Sequence, residues 1–93
     1  MNLYLISQST NKGYDTFDSA VVAAESEQGA RTTHPEAWDL CYGEDCWISP
    51  YGEKSDEDVS CWVAHPSEVS VKYLGQAAEG TQSGVILASF NAG

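Results

Sequence analysis

The sequence predicts an α+β fold: a small, mostly antiparallel four-stranded sheet, one short helix on one face of that sheet, and a long acidic, aromatic excursion. Three observations lead to this fold. Four segments carry the apolar alternation of strands, one segment carries helix signals, and the composition changes abruptly in the middle of the chain. Ninety-three residues make one domain of ordinary size. We therefore expect a single domain, 1–93, with the excursion inserted at about 36–62.

Apolar residues recur in four short segments in the way that strands require. In the third segment Val69, Val71 and Tyr73 share one face, with polar residues between them. The connection from the third to the fourth segment contains the turn-forming pair Glu79-Gly80, which predicts that these two strands form a hairpin. The four strands are predicted at about 2–8, 18–25, 68–76 and 84–90.

One segment carries the signals of a helix. Ser26 is a residue type that accepts a backbone N–H bond at a helix start, and Glu27 places negative charge near the positive end. Pro35 ends the helix, which is predicted at about 27–34. Gly29 in its middle costs ~1 kcal/mol relative to alanine, so this helix should depend on packing against the sheet.

The charge of the chain restricts its partners. Fourteen acidic residues face four basic ones, for a net charge of −10. This field opposes approach to phosphate backbones and anionic lipids, so we expect no direct binding of nucleic acid and no membrane contact. The same field speeds encounter with a basic protein surface. The alternative is that the charge serves only to keep the protein in solution.

Several features point to a reducing cytoplasm. No apolar run approaches the ~20 residues that a helix needs to cross a bilayer, and residues 1–8 lack the basic start of a secretory signal. Three cysteines, an odd number, fit a reducing compartment better than a disulfide framework. The oligomeric state is not predicted by any of these features.

The excursion combines acidic and aromatic residues, which are the residue types that bind basic protein surfaces. Eight of the fourteen acidic residues lie between positions 36 and 61. The alternative is that its tryptophans pack the excursion onto the sheet as an additional core. The candidate partner-binding residues are Trp38, Glu44, Asp45, Trp47, Tyr51, Asp56, Glu57 and Asp58.

The cysteines suggest a metal site. The pattern Cys41-x4-Cys46-x14-Cys61-x3-His65 places four ligands in the order of a three-cysteine, one-histidine zinc site. The first gap is longer than the commonest two-residue spacing, so unligated thiols and a surface histidine remain an alternative. A Cys41–Cys46 disulfide is not expected in a cytoplasm. Zinc is therefore the one cofactor that the sequence suggests.

No catalytic motif stands out. Asp15 and Asp18 could form a carboxylate pair for acid–base chemistry, but aspartates near a strand entry more often satisfy backbone donors in a turn. The sequence has no glycine-rich phosphate loop and no serine–histidine–aspartate motif. We therefore expect a protein that is not an enzyme, and a small nucleotide-acting enzyme is the least supported alternative.

Two stretches of the sequence resemble small accessory proteins of tailed bacteriophages. The first is residues 14–26, YDTFDSAVVAAES, followed by Ala30-Arg31 and His34-Pro35, and the second is the ending GVILASFNAG at 84–93. The resemblance covers about residues 1–35 and 62–93, and the excursion departs from it. It implies a phage protein that binds and inhibits a host defence protein, for example as an anti-CRISPR protein. A small structural or zinc-stabilised phage protein is the alternative.

Overall fold

A computed structural model describes residues 1–10, 15–41, 43–55 and 61–91. Six strands and one helix lie in these ranges, together with a short 3-10 turn at Pro66–Glu68. No helix of the described residues is long and apolar enough to cross a membrane. The elements are β1 (Asn2–Ser7), β2 (Thr16–Ala24), α1 (Glu27–Arg31), β3 (Asp39–Leu40), β4 (Trp47–Ile48), β5 (Ser70–Gln76) and β6 (Gly84–Asn91).

The main sheet has four strands in the order β5-β1-β2-β6, and every neighbouring pair is antiparallel. The predicted α+β class is confirmed, and each of the four predicted strands begins and ends within two residues of an observed one. The prediction succeeds because strand alternation is a local property, which the sequence displays directly. The second sheet, β3 with β4, lies inside the excursion and was not predicted.

The predicted hairpin between the last two strands is wrong. β5 and β6 lie on opposite edges of the sheet, with β1 and β2 between them. The connection 77–83 therefore passes the end of the sheet, where the backbone N–H of Ala77 donates to the carbonyl of Met1 at 3.0 Å. Seven residues can span about 23 Å, whereas two intervening strands require roughly 14 Å. The length of this connection permits either topology.

The helix is shorter than predicted, ending at Arg31 instead of residue 34. Its start is as expected, since Ser26 Oγ accepts the N–H of Gly29 at 3.1 Å. At its end the N–H of Thr33 bonds to the carbonyl of Ala30, which tightens the last turn. The chain then leaves the helix axis and buries the side chain of His34.

One face of the sheet, the inner face, carries the core. Residue pairs across the strands place Tyr4 opposite Val22, and Ile6 opposite Ala20, on this face. The helix contributes Ala30, and the excursion with the segment after it contributes further buried side chains. The buried members are Tyr4, Ile6, Ala20, Val22, Ala24, Ala30, Trp47, Trp62, Val63 and Val69. The sheet and the excursion therefore share one core.

Candidate binding surface and cysteine hairpin

The excursion is a hydrogen-bonded layer that two tryptophans hold on the inner face. The side chains of Trp47 and Trp62 are fully buried. The indole N–H of Trp47 donates to the carbonyl of Val63 at 3.0 Å, and its backbone N–H donates to Ser55 Oγ at 2.9 Å. The hydroxyl of Ser55 in turn donates to the carbonyl of Ala64 at 2.7 Å. These bonds satisfy polar groups that burial would otherwise leave costly.

Trp47 is therefore not a partner-binding residue, which corrects the prediction made for it. Its burial follows from its place on β4, where it packs into the core under the sheet. Trp38 is half-buried, stacked on the ring of His34 with centroids 4.6 Å apart. The tryptophans of the excursion thus pack onto the sheet as part of the shared core. Among the described residues of the excursion, Tyr51 is an exposed aromatic residue, at 92% exposure.

His34 is a buried residue that the sequence analysis did not single out. Its Nδ1 accepts the backbone N–H of Glu36 at 2.9 Å, so the proton of the neutral ring lies on Nε2. Burial lowers the pKa of this imidazole from 6.5 to about 4. Nε2 has no hydrogen-bond partner among the described residues. His34 thus serves as a neutral aromatic ring that packs between Trp38 and Trp47.

A hairpin formed by β3 and β4 carries the first two cysteines. The backbone N–H of Cys41 donates to the carbonyl of Cys46 at 3.0 Å, and the two residues form a disulfide with their Cα atoms 5.4 Å apart. Gly43 in the loop has a φ of 73°, a left-handed conformation that glycine adopts without strain. The expectation that these cysteines would not pair is corrected. They face each other across the hairpin, which brings their side chains within bonding reach.

The predicted four-ligand set is not assembled as a unit. Among the described residues, one group of three potential ligands could hold a metal ion: Cys41, Glu44 and Cys46. Their ligand atoms lie within 4.8 Å of one another. Glu44 is the ligand that the cysteine spacing could not indicate. Its Oε2 lies 3.6 Å from the Sγ of Cys46 and 2.6 Å from the Nζ of Lys54.

His65 and Cys61 have different positions relative to this cluster. His65 lines a depression of about 470 Å³ together with Glu44 and Cys46, and its Nδ1 lies 2.6 Å from the carbonyl oxygen of Asp45. Cys61 is a free, half-buried thiol outside the cluster. Burial, and secondarily the charge of Glu36, raises its pKa to about 11. In the absence of a metal, Cys61 is therefore a protonated thiol at neutral pH.

The carboxylates lie on the surface. Every acidic residue in the described ranges is exposed. Two of them form ion pairs with a lysine or arginine within those ranges, Glu27 with Arg31 and Glu44 with Lys54. Asp39 and Glu53 of the excursion are not in either of these ion pairs, so their charge is available to a partner. We call the exposed carboxylates of the excursion the acidic surface.

The predicted partner-binding carboxylates divide into three groups. Glu44 is exposed but bound to Lys54. Asp45 accepts hydrogen bonds from the backbone N–H and the hydroxyl of Ser67, so it ties the hairpin to the 3-10 turn. The remaining predicted carboxylates lie outside the described residues, and these are Asp56, Glu57 and Asp58.

Tyr51 stands at the tip of a turn in the excursion. The hydroxyl of Ser49 accepts the backbone N–H groups of Tyr51 and Glu53, at 3.2 and 3.1 Å. The N–H of Gly52 donates to the carbonyl of Ser49 at 2.9 Å. These three bonds fix the turn, at which the side chain of Tyr51 is exposed to solvent.

The two aspartates weighed as an acid–base pair are both exposed. Asp15 has a φ of 59°, the left-handed backbone conformation that aspartate tolerates in turns. The carbonyl of Asp18 accepts the backbone N–H of Gln8 at 3.2 Å, next to a register shift between β2 and β6. Asp15 therefore lies in a turn, whereas Asp18 lies within β2.

No protein-family model, curated protein or solved structure matches this chain.

Proposed function

We propose that this chain is a non-enzymatic phage protein of the bacterial cytoplasm, which binds a host defence protein and inhibits it. In this proposal the acidic surface occupies a basic surface that the host protein uses to hold nucleic acid. The observation that carries the proposal is the exposure of every described carboxylate, with ion pairs to lysine or arginine at two of them. Inhibition then needs no reaction, because occupancy of the basic surface excludes nucleic acid by competition.

A CRISPR nuclease is the partner class we propose first. Such nucleases hold a heteroduplex in a positively charged channel that reads backbone geometry and charge. The exposed carboxylates of the excursion offer negative charge to such a channel, and Tyr51 adds an exposed aromatic side chain of the type enriched at binding hot spots. The resemblance of residues 14–35 and 84–93 to phage accessory proteins supports the same assignment.

The experiment measures binding of the purified chain to a purified CRISPR nuclease, with and without its guide RNA and target DNA. We expect binding that nucleic acid displaces. Asp39→Asn with Glu53→Gln should weaken it, since both carboxylates lie in the excursion. Glu25→Gln with Glu79→Gln is the matched control, because it removes the same charge from exposed positions outside the excursion. Equal weakening by the two double variants, or binding that nucleic acid does not displace, contradicts the proposal.

A second candidate function is that of a small zinc-stabilised structural protein, favoured by the cluster of Cys41, Glu44 and Cys46. A dithiol reductant would transfer two electrons and two protons to the disulfide, giving two thiols and the oxidised reductant. The thiols would lose their protons on binding zinc. Two thiolates and the Glu44 carboxylate would then serve as ligands, and the fourth position would fall to His65 or to water.

The zinc candidate is tested on protein prepared under reducing conditions with zinc present. We expect about one equivalent of bound zinc, since structural sites bind tightly. Cys46→Ser and Glu44→Gln should lower the bound metal, whereas Cys61→Ser, a thiol outside the cluster, should not. Reduced protein without zinc, or equal loss in the Cys61→Ser control, ends this candidate.

A further inference from the structure

The sheet has a second face, the outer face. The strand registers place on it the apolar residues Leu3, Leu5, Val21, Ala23 and Leu87 and the polar residues Ser7, Ser19, Ser70, Lys72 and Ser89. The helix and the excursion pack on the inner face. A sheet with one solvated face usually alternates apolar and polar residues, so its outer positions should be polar. Here Leu5, Val21 and Leu87 form a continuous apolar row across β1, β2 and β6.

This row is accessible. Leu87 is 69% exposed, and a shallow depression of about 320 Å³ lies between Leu5, Val21 and Leu87. Leu74 and Ile86, which lie at the register shifts of β5 and β6, are also exposed, at 48% and 54%. Contiguous apolar surface of this kind marks an interaction site more often than scattered single residues do.

The charge of the outer face differs from that of the rest of the chain. β1, β5 and β6 contain no acidic residue and one charged residue, Lys72, and β2 contains one charged residue, the exposed Asp18. The four strands therefore carry one positive and one negative charge. The protein as a whole carries a charge of −10. A basic partner is therefore drawn to the acidic surface on the excursion, and the outer face suits an apolar, nearly uncharged partner.

We propose that the occupant of the outer face is a second copy of this chain, packed face to face about a two-fold axis. A two-fold dimer brings the same patch together from both copies, so an apolar, weakly charged patch is complementary to itself. Packed sheets lie about 10 Å apart. The two excursions, which lie on the inner faces, then point away from each other, and this arrangement separates the carboxylates that oppose self-association.

The size of the face sets the strength of the dimer. Four strands spaced about 4.8 Å apart and about seven residues long give a footprint of roughly 19 by 23 Å. Two such faces bury at most about 900 Å², below the roughly 1,200 Å² of a standard stable interface. The dimer is therefore reversible and depends on concentration.

The effect of salt distinguishes the dimer from the proposed binding of a basic partner. Added salt screens the repulsion between two copies that each carry −10, so it strengthens the dimer. The same salt weakens attraction between the acidic surface and a basic partner. Because the two effects have opposite sign, the dimer can fail or hold independently of the proposed function.

The test is sedimentation equilibrium over a range of protein and salt concentrations. We expect a dimer that grows with both. Leu87→Asp should weaken it at least about tenfold, since each dimer buries two copies of this side chain. Tyr51→Asp is the matched control, because it places the same new charge at an exposed apolar residue of the excursion, and it should dimerise like the parent chain.

A second variant keeps the test informative if Leu87→Asp does not fold. Leu87→Thr removes apolar surface with a residue that strands favour, and it should also weaken the dimer. A parent chain that remains monomeric at the highest protein and salt concentrations overturns the proposal. It is equally overturned if folded Leu87 variants dimerise as the parent does, or if Tyr51→Asp weakens the dimer as much as they do.

Discussion

The imidazole of His34 lies parallel to the indole of Trp38, with ring centroids 4.6 Å apart and planes 2° apart. The same imidazole packs edge-on against Trp47 at 5.1 Å. Both tryptophans belong to the excursion, whereas His34 follows the helix by three residues. The neutral ring therefore connects the end of α1 to the core of the excursion, and its protonation should disturb both.

Protonation of His34 should destabilise the protein in acid. The unfolded chain binds a proton at this residue as the pH falls below 6.5, whereas the folded chain does so only near pH 4. The stability that neutral His34 contributes is thus fully present above pH 6.5 and is lost as the pH falls to about 4. The contribution is on the order of 3 kcal/mol.

The measurement is the free energy of unfolding by urea at several pH values between 7 and 4. His34→Phe retains an aromatic ring against Trp38 but cannot titrate, so residue 34 no longer contributes to the pH dependence of its stability. We expect a steeper loss of stability in the parent chain than in this variant. Identical slopes would show that His34 titrates normally in the folded state.

Truncation of Trp47 should lower the stability of the protein, whereas truncation of Tyr51 should change it little. Trp47→Ala removes a fully buried indole from the shared core, at a cost of about 3–5 kcal/mol. Tyr51→Ala changes an exposed side chain and should alter stability by less than about 0.5 kcal/mol. Urea unfolding of both variants checks this, and a similar loss in each would contradict the assignment of Trp47 to the core.

The sequence could not distinguish these two aromatic residues. Trp47 and Tyr51 are four residues apart in the same acidic stretch, and local pattern does not say which one faces the sheet. Their burial depends on the register of β3 and β4, two strands of two residues each, which are too short to produce alternation. The long strands, by contrast, are largely apolar segments of six or more residues and were predicted to within two residues.

The candidate metal site, too, could be predicted only in part from the sequence. The sequence supplied Cys41 and Cys46, but cysteine spacing could not reveal that both face Glu44 across a hairpin. It also grouped Cys61 with them, although that thiol lies beside Glu36. Proximity of residues from different segments is a property of the fold, and the strands in the described part of the excursion are two residues long, too short for that fold to be inferred.

The disulfide should contribute measurably to stability. Closing a loop of about six residues contributes about 2 kcal/mol in the chain-entropy treatment. We expect a thiol reductant, in the absence of zinc, to lower the free energy of unfolding by about this amount. Cys46→Ser should show the lower stability with or without reductant, whereas Cys61→Ser should keep the response of the parent chain. A parent chain whose stability ignores reductant would contradict the Cys41–Cys46 bond.

The central claim is that the acidic surface drives association with a basic partner. Stopped-flow measurement of the association rate with a CRISPR nuclease, across a series of salt concentrations, tests it most directly. Exposed charges are screened over ~8 Å at physiological ionic strength, so the rate should fall steeply as salt rises. Neutralising Asp56, Glu57 and Asp58 together should lower the rate at low salt and flatten its salt dependence, with a smaller effect on dissociation. Association rates that are indifferent to both salt and this triple change would contradict the claim.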